Sequence, residues 1–306
     1  MKIVAERSSR VISAEEAVSL VKDGDTLGLS GFILFNEPMA LIRALIKRGV
    51  KDLTVVTLGG GIGVDMLIGA GCVKKLVTTY MGLQHYAPIA PNFRRAMEQG
   101  EDLFFWECDF QHWHCAMKAA GWNMPYLLTK QGVGTDLPKY NPDLREIEVN
   151  GQRWIAVPPI PIDVSFIYAA QADPYGNVIH KASVFSERII ARATRRHIIS
   201  CCDELIPNKY INREPRIVTL AGLVAADYVV EIPYGAHPEE GQGYYMHDRY
   251  HVREYIAAAE AARTGEDADA FKRYMDRYVY GPKDHNEYLE AIGGMRRLLE
   301  LRQSML

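Results

Sequence analysis

The chain has 306 residues, 48% of them hydrophobic, enough to bury a large core as one big α/β domain or two small ones. Its 35 basic and 38 acidic residues leave a formal net charge of −3, so no strong field steers it toward nucleic acid or an anionic membrane. No secretory signal follows Met1 and no apolar run reaches membrane-spanning length; Cys72, Cys108, Cys115, Cys201 and Cys202 form no CxxC pair, which argues against a disulfide framework or zinc ribbon and for the cytoplasm.

Ser13 with Glu16 reads as a capping box that opens a helix over residues 14–21, stopped by Asp23-Gly24-Asp25. Residues 26–32 are a short apolar run ending in a small-residue turn, after which Pro38 starts a second helix that ends near Gly49. Residues 53–58 repeat the pattern, breaking at Gly59-Gly60-Gly61, and residues 75–80 give a further strand. Strands alternating with helices predict a parallel-rich open sheet covered on both faces, a three-layer α/β/α fold. The second half continues in kind, with apolar runs at 154–157 and 164–170, a turn at 173–177, a helix over about 187–196, and buried strands at 197–202 and 228–232. From about residue 250 the sequence is charged and helical. No linker divides the chain, so 1–306 read as one domain with a helical C-terminal extension.

Several constellations invite chemistry. Gly59-Gly60-Gly61-Ile62-Gly63 follows a strand, and backbone N–H groups at a helix start attract anions. A dinucleotide fingerprint would need glycine at Val64 or Met66, and no Gly-Lys-Ser/Thr follows for a P-loop. A tight strand-to-helix turn and a backbone contact to a ligand both stay open. His247 and His251 have the i, i+4 spacing of zinc-protease helices, but Asp248 replaces the glutamate and no third ligand follows, so they read as surface histidines on an exposed helix. His112, His114 and Cys115 read as ordinary, partly buried polar residues, because i, i+2 spacing splits the histidines across a helix. No metal is expected. Ser30 lacks the G-x-S-x-G elbow of a nucleophile, and Cys201-Cys202 lie in an apolar strand where burial silences a thiol. Glu107 and Asp109 stand among aromatics in residues 104–110; they are either desolvated and suited to acid/base work or turned outward by strand alternation.

Four blocks in order carry a family likeness: residues 24–32 (Gly-Asp-Thr-Leu-Gly-Leu-Ser-Gly-Phe), 65–74 (from Asp65 to Lys74), Pro233-Tyr234-Gly235-Ala236-His237-Pro238, and residues 283–289 (Lys-Asp-His-Asn-Glu-Tyr-Leu). With the turn Gln131-Gly132-Val133-Gly134, they resemble the A (alpha) subunits of class I coenzyme A transferases of the glutaconate CoA-transferase type, a fold related to the NagB and RpiA proteins. Two departures stand out: Ser30 replaces the first of the family's paired glycines, and Asn36 stands where glycine is usual before Pro38. The family's catalytic glutamate lies in an S-E-N-G-like motif on the partner beta chain, whereas this chain has Ser186-Glu187-Arg188-Ile189.

The resemblance implies a subunit inactive without its beta partner, in an α2β2 or similar assembly, with acyl-CoA and a small carboxylic acid as substrates and no bound cofactor. It implies that this chain walls the acyl side through Ser30, Gly31, Phe32, Gly59, Gly60, Gly61, Gln84 and His85, with Glu107 as a possible catalytic group. Gln84 falls where the glutaconate enzyme has a serine that meets the distal carboxylate, so the acid is expected to differ from glutaconate. Relatives with hydrolase, ring-opening or decarboxylase chemistry form the alternative. A ligand-sensing module would need an attached helix-turn-helix and a basic patch, and neither is visible.

Overall fold

The computed structural model, which describes residues 7–211, 213 and 217–304, lays the apolar runs side by side as parallel strands. The first part of the chain carries α1 (Ala14–Ser19), β1 (Thr26–Leu29), α2 (Met39–Arg48), β2 (Leu53–Val56), α3 (Ile62–Gly69), β3 (Val73–Val77), α4 (Pro91–Gln99), β4 (Phe104–Phe105) and α5 (Phe110–Gly121). An antiparallel sheet of β5 (Leu127–Thr129), β6 (Arg145–Val149) and β7 (Gln152–Val157) follows, with the single turn α6 (Leu137–Tyr140) between its strands. The chain then returns through β8 (Ile162–Ala172), β9 (Val178–Ile179), α7 (Glu187–Ala193), β10 (Thr194–Leu205), α8 (Asn208–Ile211), β11 (Val218–Leu220) and β12 (Tyr228–Glu231). Helices α9 (Arg249–Thr264), α10 (Ala270–Met275), α11 (His285–Ala291) and α12 (Gly294–Gln303) close it, with a π-turn at Asp276–Tyr280.

The strands pair in the order β4-β3-β2-β1-β8-β10-β12, every step parallel, while β9 and β11 add antiparallel to the end of β8. Buried strands of this kind need cover on both faces, and two apolar cores supply it. Leu27, Leu29, Val55 and Phe166 pack with α2, α3 and the C-terminal helices, whereas Val56, Val77 and Ile162 pack with Trp113 of α5 and Ile190 of α7. This is the three-layer arrangement that the alternation of elements implies.

Polar side chains tie the C-terminal helices to the rest. Buried Asp65 of α3 accepts hydrogen bonds from the Phe93 N–H (2.8 Å) at the start of α4 and from the Tyr255 hydroxyl (2.6 Å) of α9. Asp248 caps α9 through the Tyr250 and His251 N–H groups and pairs with Arg297 of α12. Asp65, His237 and Tyr288, one from each of three family-like blocks, are buried in this scaffold, with His237 Nδ1 2.6 Å from the Tyr288 hydroxyl. Among the described residues, no helix is long and apolar enough to cross a membrane.

Several boundaries move. β3 ends at Val77 and not at residue 80, because Thr78 leaves the ladder and donates its hydroxyl to the Leu58 and Tyr80 carbonyls. α7 stops at Ala193, three residues early: Thr194 pairs with Ile162 of β8, and its hydroxyl donates to the Ile190 carbonyl. Residues 154–157 lie in the small antiparallel sheet and do not extend the parallel one. His247 precedes α9 and His251 is buried on it, donating to or accepting from the Tyr274 hydroxyl at 2.7 Å, so the exposed-helix reading of this pair is corrected.

Candidate functional site

In an open parallel sheet, ligands gather beyond the carboxyl ends of the strands. Here three successive loops, after β1, β2 and β3, lie against one another at that edge. The Ile33 N–H donates to the Gly59 carbonyl (2.9 Å), the Gly60 N–H to the Tyr80 carbonyl (2.9 Å) and the Gly82 N–H to the Gly60 carbonyl (3.3 Å). Phe32 stacks on Phe185 with ring centroids 5.1 Å apart and covers Gly59 so closely that a Cβ there would stand 2.7 Å from its ring.

Beneath these loops sits a buried pair of carboxyl groups, Glu37 and Glu239, both 0% exposed. Glu37 accepts the N–H groups of Gly61 (2.8 Å) and Gly63 (2.7 Å), one on each oxygen. Glu239 accepts the Ile62 N–H (3.1 Å) and the N–H of Glu37 itself (3.3 Å). The orphan donors that open α3 are therefore satisfied by side chains of the same chain. Glycine is required for that approach, since a Cβ on Gly63 would stand 2.5 Å from a Glu37 oxygen, and one on Gly61 would stand 2.7 Å from Glu239 and overlap the Ile33 carbonyl oxygen. Burial pushes the Glu37 carboxyl up to about 7 against the pull of its N–H donors. Burial raises Glu239 well above the carboxylate range, and the neighbouring Glu37 charge raises it further. The pair is therefore driven toward sharing a proton, with Glu239 pushed further than Glu37.

Known proteins share this architecture. The Coenzyme A transferase family model matches residues 11–231. The chain belongs to the coenzyme A transferase family. It is 31% identical over 309 residues to the A subunit of glutaconate CoA-transferase from Acidaminococcus fermentans, covering 94% of this chain and 93% of that one. The crystal structure of that bacterium's glutaconate coenzyme A-transferase superposes with a TM-score of 0.87 at 28% identity, over 96% of each chain. The A subunit of 3-oxoadipate CoA-transferase from Pseudomonas knackmussii is 31% identical over 93% of this chain and 98% of its own. Of a longer Archaeoglobus fulgidus protein, 32% identical over 300 residues, the chain spans 65%.

Within this transferase frame, the residues singled out by sequence occupy different positions. Ser30 is fully buried; its hydroxyl donates to the Asn36 carbonyl (3.1 Å) and accepts the Tyr168 N–H (2.9 Å), stitching the first loop to β8. The Gly60 and Gly61 N–H groups are engaged internally, so the open choice at this turn resolves to a structural one for those two donors. The N–H groups of Gly31 and Gly59 have no hydrogen-bond partner among the described residues. Gln84, half-buried, adopts a left-handed backbone (φ 51°) at the tip of a turn closed by the Leu83 N–H on the Ala87 carbonyl (2.7 Å), and His85 beside it is exposed. Both reach the same edge.

Glu107 stands just past β4 at this edge, next to Cys108, whose thiol reaches the Thr78 carbonyl. It is exposed, which corrects the desolvated-carboxylate reading; the aromatics beside it face elsewhere, with Trp106 fully buried. Asp109 caps α5 through the His112 N–H (2.9 Å). His112 is buried against the Gln131 carbonyl (3.0 Å), while His114 turns outward to the Phe110 carbonyl (2.8 Å). Burial pushes the Cys201 and Cys202 thiols well up, as expected of silent cysteines. Glu37 and Glu239 were not legible as a pair: 202 residues separate them, and the only local signal is the extra glycine at 63.

Proposed function

We propose that this chain is the acyl-side subunit of a heteromeric CoA-transferase that moves CoA between an acyl-CoA and a small carboxylic acid, with the nucleophilic glutamate supplied by a beta subunit in an α2β2 or similar cytoplasmic assembly. The observation that carries this reading is the state of the carboxyl groups beneath the loops: Glu37 and Glu239 are sealed and held by main-chain N–H groups, so neither can attack a thioester. Glu187 is likewise fully buried at the start of α7. The chain therefore offers a wall, with Phe32, Gln84 and His85 toward the acyl group and the Gly31 and Gly59 N–H groups as donors to its oxygen. Five free, buried cysteines suit a reducing cytoplasm. The whole chain acts as one domain, its C-terminal helices bracing the wall through Asp65 and Asp248.

In the reaction proposed, the partner's glutamate carboxylate attacks the thioester carbonyl and expels CoA thiolate, leaving a mixed anhydride. The thiolate attacks the glutamyl carbonyl of that anhydride, releasing the first acid and forming a glutamyl-CoA thioester. The acceptor carboxylate then reverses both steps. Borohydride reduction after incubation with acyl-CoA tests this directly: a reduced glutamate on the partner is expected, and label on this chain would refute the allocation. The exposed position of Glu107 at the same edge favours one second reading, hydrolysis or decarboxylation assisted from this chain. Acyl-CoA consumption with no trapped glutamate would select it.

A further inference from the structure

A second cleft, of about 320 Å³, lies on the outer side of α2, between α1, the π-turn and the start of α11. Val18, Ala40, Ala44 and Ile232 give it apolar walls. Among the described residues, the one deeply buried charged residue in its wall is Arg43, 6% exposed. The guanidinium donates to the His237 carbonyl (2.8 Å), meets His285 Nδ1 at 3.4 Å, and lies over the Tyr288 ring at 3.6 Å from its centroid. His285 Nε2 is 2.8 Å from the Pro233 carbonyl and must carry the hydrogen there, which leaves Nδ1 as an acceptor and the imidazole neutral. The Arg43 Nε–H has no partner among the described residues.

Among the described residues, no carboxylate pairs with Arg43, and the two cations at the rim are in the same condition. Lys47 donates to the Pro282 (2.6 Å) and Lys283 (3.0 Å) carbonyls, and Arg48 to the Val18 carbonyl (2.6 Å), with no acidic partner for either among the described residues. The acidic groups at the cleft are turned to other work: Asp284 caps α11 through the Glu287 N–H, and Glu15 is exposed at the first turn of α1. A buried cation without a counter-ion is costly unless an anion reaches it. An inorganic anion would leave the apolar walls wet, and an uncharged hydrocarbon would leave Arg43 uncompensated.

We infer that this cleft binds a short-chain aliphatic carboxylate, its anionic end against Arg43 and Lys47 and its chain along Ala40, Ala44 and Val18. The site is separate from the loops after β1, β2 and β3, although His237 links the two, being two residues from Glu239.

Photoaffinity labelling of the full-length chain, purified with its partner subunit, tests this with an aliphatic diazirine carboxylic acid as probe. Label is expected in the peptides spanning residues 40–48 and 278–288, competed by hexanoate and not by hexanol. Ala44→Phe fills the cleft and should abolish that label. Lys47→Glu keeps the cavity but reverses the rim charge, and should lower labelling about tenfold. Label confined to the peptides around Gly31 and Gln84 would overturn the proposal, as would equal competition by hexanol or labelling unchanged in both variants. CoA transfer by the Lys47→Glu enzyme should stay unchanged, which separates a failure of this site from a failure of the transferase reading.

Discussion

Replacing Glu37 by glutamine and, separately, Glu239 by glutamine should give unequal losses of stability, although the two side chains share one buried site. Each oxygen of Glu37 accepts a main-chain N–H, from Gly61 and from Gly63. An amide keeps one acceptor and turns its NH2 toward the other N–H, so one buried backbone donor and one amide donor lose their partners. At about 1–3 kcal/mol for each orphaned group, the cost is about 2–6 kcal/mol. For a chain of 306 residues the unfolding entropy is roughly 0.6 kcal/mol/K, which converts that loss to about 3–9 °C in Tm. Glu239 is the more strongly raised of the two; glutamine there keeps an oxygen for the Ile62 N–H (3.1 Å) and turns its NH2 toward Glu37, so the one group it orphans is the Glu37 N–H, held at 3.3 Å. The loss for Glu239→Gln should be about 1–3 kcal/mol, half that of Glu37→Gln. The pair also fixes the pH dependence. Both folded-state values are raised, so their contribution is full below the ordinary glutamate range, near 4.5, and is lost as pH rises through about 7 for Glu37 and higher for Glu239. Glu239→Gln should flatten the decline above neutrality. Differential scanning fluorimetry from pH 5 to 9 reads both effects; equal damage from the two substitutions, or a harmless Glu37→Gln, would refute the shared-proton account.

Gly61→Ala should abolish soluble expression, because its Cβ overlaps the Ile33 carbonyl, whereas Gly49→Ala, at positive φ (81°) but facing open space, should cost only about 1 kcal/mol by urea unfolding. Gln84→Ala should impair the acid-dependent half-reaction up to roughly a hundredfold in specificity constant and spare enzyme-CoA thioester formation; Gln84→Asn, which tolerates the left-handed backbone, controls for strain. Equal slowing of both half-reactions would remove Gln84 from the substrate site. Cys201 and Cys202 should resist iodoacetamide in the folded protein and react in full once it is unfolded in urea, a contrast that mass spectrometry detects.

The layered α/β fold, the main parallel strands β1, β2, β3, β8, β10 and β12 and the family were legible before folding, because they rest on local periodicity and on short blocks that need no distant partner. Ser13 and Glu16 form the capping box their spacing requires, and α2 ends at Gly49 as read, the glycine taking the left-handed conformation open to it. The silent state of Cys201 and Cys202 also follows from an apolar run alone. The use of polar groups was not legible in this way, and packing settled it. Gly59-Gly60-Gly61-Ile62-Gly63 presents an anion-binding pattern to the eye, and the anion turned out to be Glu37 with the carboxyl of Glu239 beside it, brought together from 202 residues apart. His251, read as exposed, is buried because α9 and α10 pack around it, and Glu107 is exposed because a two-residue edge strand ends before it. Periodicity reports which face of an element is apolar; which charged groups that face meets depends on contacts hundreds of residues apart, and no local pattern encodes those.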